Sequence, residues 1–225
     1  MISKLPRWVE FGAFILAFVA GYVNAIGLLG FDHQSISHLS GTATLLGTEL
    51  ISSSTQKILH LIAILVSFFL GAALSGFILH GSTLRLGRHY DTTLLIESLL
   101  LFAALVLLND GALAGHYLAS AACGLQNALA TTYSGAIVRT THVTGIFTDL
   151  GIMFGAKMRG ESFDKRKAIL FLIIIVGFIG GGTIGAVVFE RLIFNALIVP
   201  GVICLVLAIG YRLYNLRIAL QKLDV

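Results

Sequence analysis

The chain has 225 residues, of which 57% are hydrophobic and only 12% charged, whereas soluble domains carry about 25% charged residues. That balance excludes a soluble globular protein and specifies an integral membrane protein whose first partner is the lipid bilayer. The net charge of +4 does not point to nucleic acid, because the basic residues collect in the ends and loops of the topology derived below, as positive-inside anchoring requires.

Lys4 and Arg7 followed by the apolar run Phe11 to Ala20 imitate a secretory leader. The same segment, however, carries Gly21-Tyr-Val-Asn24-Ala25, which recurs inside the chain, and a cleaved leader would not be duplicated in the mature protein. Trp8 to about Gly30 is therefore read as the first membrane helix, since a ~30 Å hydrocarbon core takes about 20 helical residues. Phe31 to Ser37 is a polar break. Ser40 to Ile51 is an apolar segment bearing Thr and Gly; as helix it is ~18 Å long, nearer half a bilayer than a whole one. Ile58 to Leu79 spans, and Gly71 to Gly76 supplies small residues for close packing. His80 to Asp91 is a loop with Arg85 and Arg88, Thr92 to Leu108 spans, and Asn109-Asp110-Gly111 is a tight turn.

The second half repeats this plan. Ala112 to about Gly135 spans, with Ser120, Gly124, Asn127 and Thr131 on one helix face. Thr144 to Met153 is a second short element, and Lys157 to Lys167 is the most basic loop. Ala168 to Phe189 spans, with Gly180 to Gly185 at the same separation as Gly71 to Gly76. Phe194 to about Tyr211 is the last span, interrupted by Pro200. Cys123 and Cys204 lie inside apolar runs and read as small hydrophobes, with no disulfide or metal spacing. No cofactor is implied.

If the short elements do not cross, there are six spans, both termini are cytoplasmic, and of the 15 basic residues only Lys57 and Arg191 lie outside. Eight spans would put Arg85, Arg88, Arg139 and Arg191 outside, which fits the positive-inside rule less well. Six spans make an all-α polytopic membrane protein with two short intramembrane half-helices, built as a 3+3 inverted repeat of residues 1–110 and 111–225 in one membrane domain.

Two stretches carry the chemistry. His38-Leu-Ser40-Gly41-Thr-Ala-Thr44-Leu-Leu-Gly47 and His142-Val-Thr144-Gly145-Ile-Phe-Thr148-Asp-Leu-Gly151 share the pattern His-x-Ser/Thr-Gly-x-x-Thr-x-x-Gly. Each follows, by 14 or 15 residues, the Asn of a Gly-x-x-Asn-Ala sequence, Asn24 or Asn127. Ser40 and Thr144 are good N-caps, so each short helix is expected to begin there, aiming its free N–H groups and positive dipole end into the membrane at a small polar or anionic solute. The candidate site is Asn24, His38, Ser40, Gly41 and Thr44 facing Asn127, His142, Thr144, Gly145 and Thr148. Taken singly, the Asn residues equally fit hydrogen bonds between helices, the His residues fit interfacial caps, and Thr and Gly fit packing; the repetition is what marks the set.

Asp149 is an acid in an apolar element, which costs ~2.5–3.5 kcal/mol on insertion scales, so it is a candidate proton or cation site. Glu49 could supply the matching acid in the first copy, where Leu45 occupies the equivalent position. Glu97, five residues into its span, is expected to reach the interface, and His60, His80, His89 and His116 at span ends are expected to be inert.

The Gly-x-x-Asn-Ala helix, the His38-Leu-Ser40-Gly41-Thr42 stretch and Thr140-Thr141-His142-Val-Thr144-Gly145-Ile-Phe-Thr148-Asp149-Leu-Gly151 together resemble the YoaK-type bacterial inner-membrane family, a domain of unknown function. Thr42 stands where that family often has Asn. The resemblance implies a six-span protein of the inner membrane and supplies no substrate. From the site itself, a small-solute transporter or channel is expected. The alternatives are a membrane-embedded enzyme pairing His142 with Asp149 or His38 with Glu49, and an accessory subunit packing through its Gly-rich faces. The enzyme lacks an HExxH motif or a nucleophile beside a base. Association into a homo-oligomer is left open.

Overall fold

The computed structural model describes residues 8–30, 37–52, 54–79, 89–134 and 139–221. Among these residues the chain is helical throughout: α1 (Trp8–Gly30), α2 (Leu39–Ser52), α3 (Thr55–Ile78), α4 (Tyr90–Asn109), α5 (Ala114–Ser134), α6 (Val143–Met158), α7 (Lys165–Leu192) and α8 (Ile198–Gln221), with a 3-10 turn over Ile193–Leu197 joining the last two. Stretches long and apolar enough to cross a bilayer coincide with α1, α3 and α4 and with the continuous run from α7 into α8. The protein is an all-α polytopic membrane protein. The loop with Arg85 and Arg88 lies outside the described residues, as does the greater part of the polar break before Ser37.

Local chemistry ends the helices where the sequence suggests. Gly111 takes the left-handed conformation (φ 72°) that closes the turn between α4 and α5, and the Ala112 N–H returns to the Leu107 carbonyl. Asp164 caps α7 by accepting from the Lys167 N–H at 3.0 Å. Pro200 does not interrupt the last span. It falls in the first turn of α8, where its missing N–H has no intrahelical acceptor to lose. The break instead comes earlier, at Ile193, a β-branched residue held at φ 50°.

Close contacts give each helix a direction. Going up α7, Gly177, Gly181 and Gly185 meet the carbonyls of Phe14, Phe18 and Tyr22, in that order. Arg166 at the start of α7 meets Glu10 at the start of α1, so these two helices are parallel. In the same way His60, Ile64 and Phe68 of α3 meet Tyr117, Ser120 and Gly124 of α5, making that pair parallel too. Early α1 residues Ala13 and Ala17 pack with Ala130 near the end of α5, while Tyr22 and Ile26 share a cluster with Ala119 and Ala122 nearer its start. α1 and α5 are therefore antiparallel. Asp91–Arg212, Ser98–Gly201 and Asn109–Asn195 make α8 antiparallel to α4. Thus α1, α4 and α7 run one way, and α3, α5 and α8 the other.

The same crossing is built twice. A Cβ on Gly21 would lie 2.0 Å from the Phe178 oxygen and one on Gly181 2.0 Å from that of Phe18; one on Gly124 would lie 2.0 Å from Phe68 and one on Gly71 1.9 Å from Ala121. Only glycine lets the backbones touch there. This changes the alignment of the glycine patches. Gly71 corresponds to Gly181 and not to Gly180; Gly180 and Gly76 have no neighbour within 4 Å of an added Cβ. α5, the most polar of the long helices, is enclosed by α1, α3 and α4, so protein groups and not lipid receive its hydroxyls and amides: Ser120 donates to the Ile64 carbonyl and Gln126 to that of Leu16.

Candidate functional site

Asn24 sits six residues before the end of α1 and is buried. Its Oδ1 accepts from Ser37 Oγ at 2.8 Å, so Ser37, just ahead of α2, stands beside α1 about 9 Å back from its end. The second half does the same. Asn127 lies seven residues before the end of α5, and its Oδ1 accepts from Thr141 Oγ1 at 3.1 Å. The two Asn residues are thus clamps that hold the entry to each short helix. Their partners were not singled out from the sequence, although the signal was present: a hydroxyl residue stands directly before the motif His in both copies.

From these clamps the short helices lead to opposite ends of the bundle. α2 packs on α3 and ends where α3 begins, and α6 does so with α7. Each hairpin is tied by an acid of the short helix and a lysine near the start of the long one. Lys57 pairs with Glu49, and Lys167 with Asp149 at 3.9 Å. Both acids proposed as proton or cation groups are therefore engaged by lysines.

Neither Ser40 nor Thr144 is an N-cap. The Gly41 N–H already bonds to the His38 carbonyl and the Ile146 N–H to that of His142. α2 and α6 thus begin one residue before Ser40 and Thr144, and His142 occupies the cap position without a side-chain bond. Ser40 Oγ lies 3.2 Å from His38 Nδ1.

The faces are also distributed differently from expectation. Ser40, Thr44, Thr144, Gly145 and Thr148 are exposed and Gly41 is half-buried. The Thr44 and Thr148 hydroxyls donate to the carbonyls of Ser40 and Thr144, one turn back. Such back-bonding satisfies a hydroxyl wherever no other partner meets it. The inward positions are Thr42, fully buried, and its counterpart Ile146. An Asn in place of Thr42 would thus point inward rather than along the hydroxyl face.

The two motifs come near enough at their histidines for charge on one to act on the other. Partial burial, then the Arg139 guanidinium and then His38, hold His142 below the ordinary imidazole range. Of these causes, the two neighbouring charges are the ones that substitution tests. His38 is half-buried.

Glu97 does not reach the interface. α4 begins two residues earlier than expected, and Glu97 is 1% exposed, enclosed by α5 and α8 with Cys123 and Cys204 as its polar neighbours. His60 and His116 are not isolated either: their rings meet edge to face, and His60 Nδ1 lies 2.9 Å from the Tyr117 hydroxyl.

Among the described residues no group of three or more His, Cys, Asp or Glu side chains is arranged to hold a metal ion. A family model described as a protein of unknown function, DUF1275, matches residues 12–210. No curated protein and no solved structure matches the chain.

Proposed function

The chain belongs to the DUF1275 family, and since that membership brings no activity with it, we propose from the site itself that the protein moves a small polar or anionic solute across the bacterial inner membrane. In this reading the chain crosses six times, both termini are cytoplasmic, and residues 1–110 and 111–225 are inverted repeats. Support comes from the helix directions: each helix runs antiparallel to its counterpart, α1 to α5, α3 to α7 and α4 to α8.

The observation that carries the function is the pair of Asn clamps. In this reading they hold the starts of α2 and α6 inside the bundle while the other ends open toward opposite sides, and two half-paths converge on His38 and His142. The first-turn N–H groups of both short helices carry partial positive charge at that point, which favours an anion or a strongly polar group. The exposed hydroxyl faces, Ser40 and Thr44 on one side and Thr144 and Thr148 on the other, line the approaches. Irregular backbone is tolerated at this depth only beside protein or a water-filled cavity. The lysine pairing of Glu49 and Asp149 favours this reading over an enzyme that joins these acids to the histidines.

The test is a light-scattering assay on proteoliposomes, with a panel of small anions and neutral polar solutes, paired with melting in detergent. Asn127→Ala and Thr144→Val, with their counterparts Asn24→Ala and Ser40→Ala, are expected to abolish flux. Stability should fall by only ~0.6 kcal/mol for each buried side-chain hydrogen bond removed, the average for such bonds within a membrane protein. Loss of flux that tracks loss of stability across the four would reduce the motifs to packing elements.

A further inference from the structure

The proposed path leaves the buried acid Glu97 unused. Glu97 lies in the middle third of α4, and its Oε2 is buried without a hydrogen-bond partner. Among the described residues three elements pack on α4: α5, α8 and the 3-10 turn. From α5 it faces Cys123 and from α8 Cys204, whose thiol is in hydrogen-bond contact with it; the turn, Ile193–Leu197, has no ionisable side chain. On its own helix the next charged group is Asp91, about 9 Å away along the axis, and Asp91 already holds Arg212.

Among the described residues, therefore, no cation offsets a charge on Glu97. A carboxylate at bilayer depth without a cation or water is costly, so intramembrane acids are kept where they exchange protons or bind cations. The surroundings of thiols and apolar side chains suit a carboxylic acid, and metal-ligand geometry is lacking among the described residues. The wall on the α8 side also has a weak point. α8 is entered through a 3-10 turn that follows Ile193 in the left-handed region, and Ser98, next to Glu97, ties α4 to the first turn of α8 through the Gly201 carbonyl at 2.8 Å.

We propose that Glu97 is a proton-loading site in the centre of the bundle, which holds a proton while α8 is packed on α4 and releases it when the start of α8 moves and admits water. Its role in coupling protons to solute movement rests on the transport reading; the loading itself does not.

The test uses the full chain in proteoliposomes and the hydrophobic reagent dicyclohexylcarbodiimide, which reacts with protonated carboxyl groups. The acid proton passes to a carbodiimide nitrogen and the carboxyl oxygen bonds to the central carbon. The acyl group then migrates from oxygen to nitrogen, giving an N-acylurea with nothing lost. Peptide mapping should place the adduct on Glu97 at acidic pH. Its rate should fall about tenfold for each pH unit above the titration point and recover when the pH is returned. The carboxylic C=O infrared band lost at alkaline pH in the wild type should be missing from Glu97→Gln at every pH. Adducts on Asp91 or Asp149 in place of Glu97, or labelling of Glu97 that does not change with pH, would overturn the proposal. Neither readout on the wild-type chain depends on the variant folding. Proton loading with no solute flux removes the transport reading and leaves the site standing. Flux in Glu97→Gln with wild-type rate and pH profile removes Glu97 from the coupling.

Discussion

Gly180, Gly181 and Gly182 are adjacent, yet only the middle one should be intolerant of a methyl group. An added Cβ on Gly181 would fall 2.0 Å from the Phe18 carbonyl oxygen and 2.7 Å from its carbon, about 1.4 Å short of the 3.4 Å at which ordinary contact begins. Both partners are helix backbone, so the shortfall cannot be absorbed by a rotamer change, and α1 must move away from α7. A radial gap of even 0.5–1 Å forfeits a quarter to a half of the dispersion energy of the atoms involved. The neighbouring contacts of Gly177 with Phe14 and Gly185 with Tyr22 open with it. We expect Gly181→Ala to cost about 3 kcal/mol, the upper end of overpacking, reduced to about 2 kcal/mol by the ~1 kcal/mol gain in helix propensity. Gly180→Ala meets no atom within 4 Å, keeps the propensity gain, and should be neutral or stabilising. The assay is equilibrium unfolding in mixed micelles, comparing the two variants directly. If Gly180→Ala is the damaging substitution, the glycine register and the parallel pairing of α1 with α7 are both wrong.

His142 is held below the ordinary imidazole value of 6.5, so the unfolded chain binds more protons than the folded one as pH falls through that value. The stability contribution is therefore full above pH 6.5 and lost as the pH drops below it. A histidine titration by NMR should place His142 below 6.5 and move it upward in both Arg139→Gln and His38→Ala; no movement in His38→Ala would mean that the two motifs do not meet. Arg212→Ala strands Asp91, which is buried with its Oδ1 already lacking a partner. The expected cost is about 2 kcal/mol, below the ~3–5 kcal/mol of a fully buried pair because Arg212 is largely exposed. Adding Asp91→Asn should recover most of it, and a neutral Arg212→Ala would show that the pair does not hold α8 to α4.

What the sequence made legible were features that act locally. The apolar runs and the Asn109-Asp110-Gly111 turn follow from hydropathy and turn chemistry, and the structure keeps them, with most ends shifted by a few residues but α8 running on to Gln221. Of the two short elements, α2 stays near its expected length whereas α6 runs past Met153 to Met158. The repeated motif was legible as a repeat. Its cap geometry was not, because Ser40 and Thr144 satisfy cap preferences equally well one residue inside a helix. What packing decides was hidden. Glu97 looked interfacial when only its distance from a span end was counted, and it became central once α5 and α8 were laid against it. Gly71 and Gly180 matched by spacing, whereas the crossing selects Gly181. The misread positions share a cause: each is defined by a residue far away in the sequence, Glu97 by Cys204, Gly181 by Phe18 and Gly71 by Ala121. The clamps differ, since Asn24 with Ser37 and Asn127 with Thr141 lie within one unit. A search extended one residue upstream of each motif His would have found them, and a pairing written twice at matching positions is evidence of shared geometry before any contact is seen.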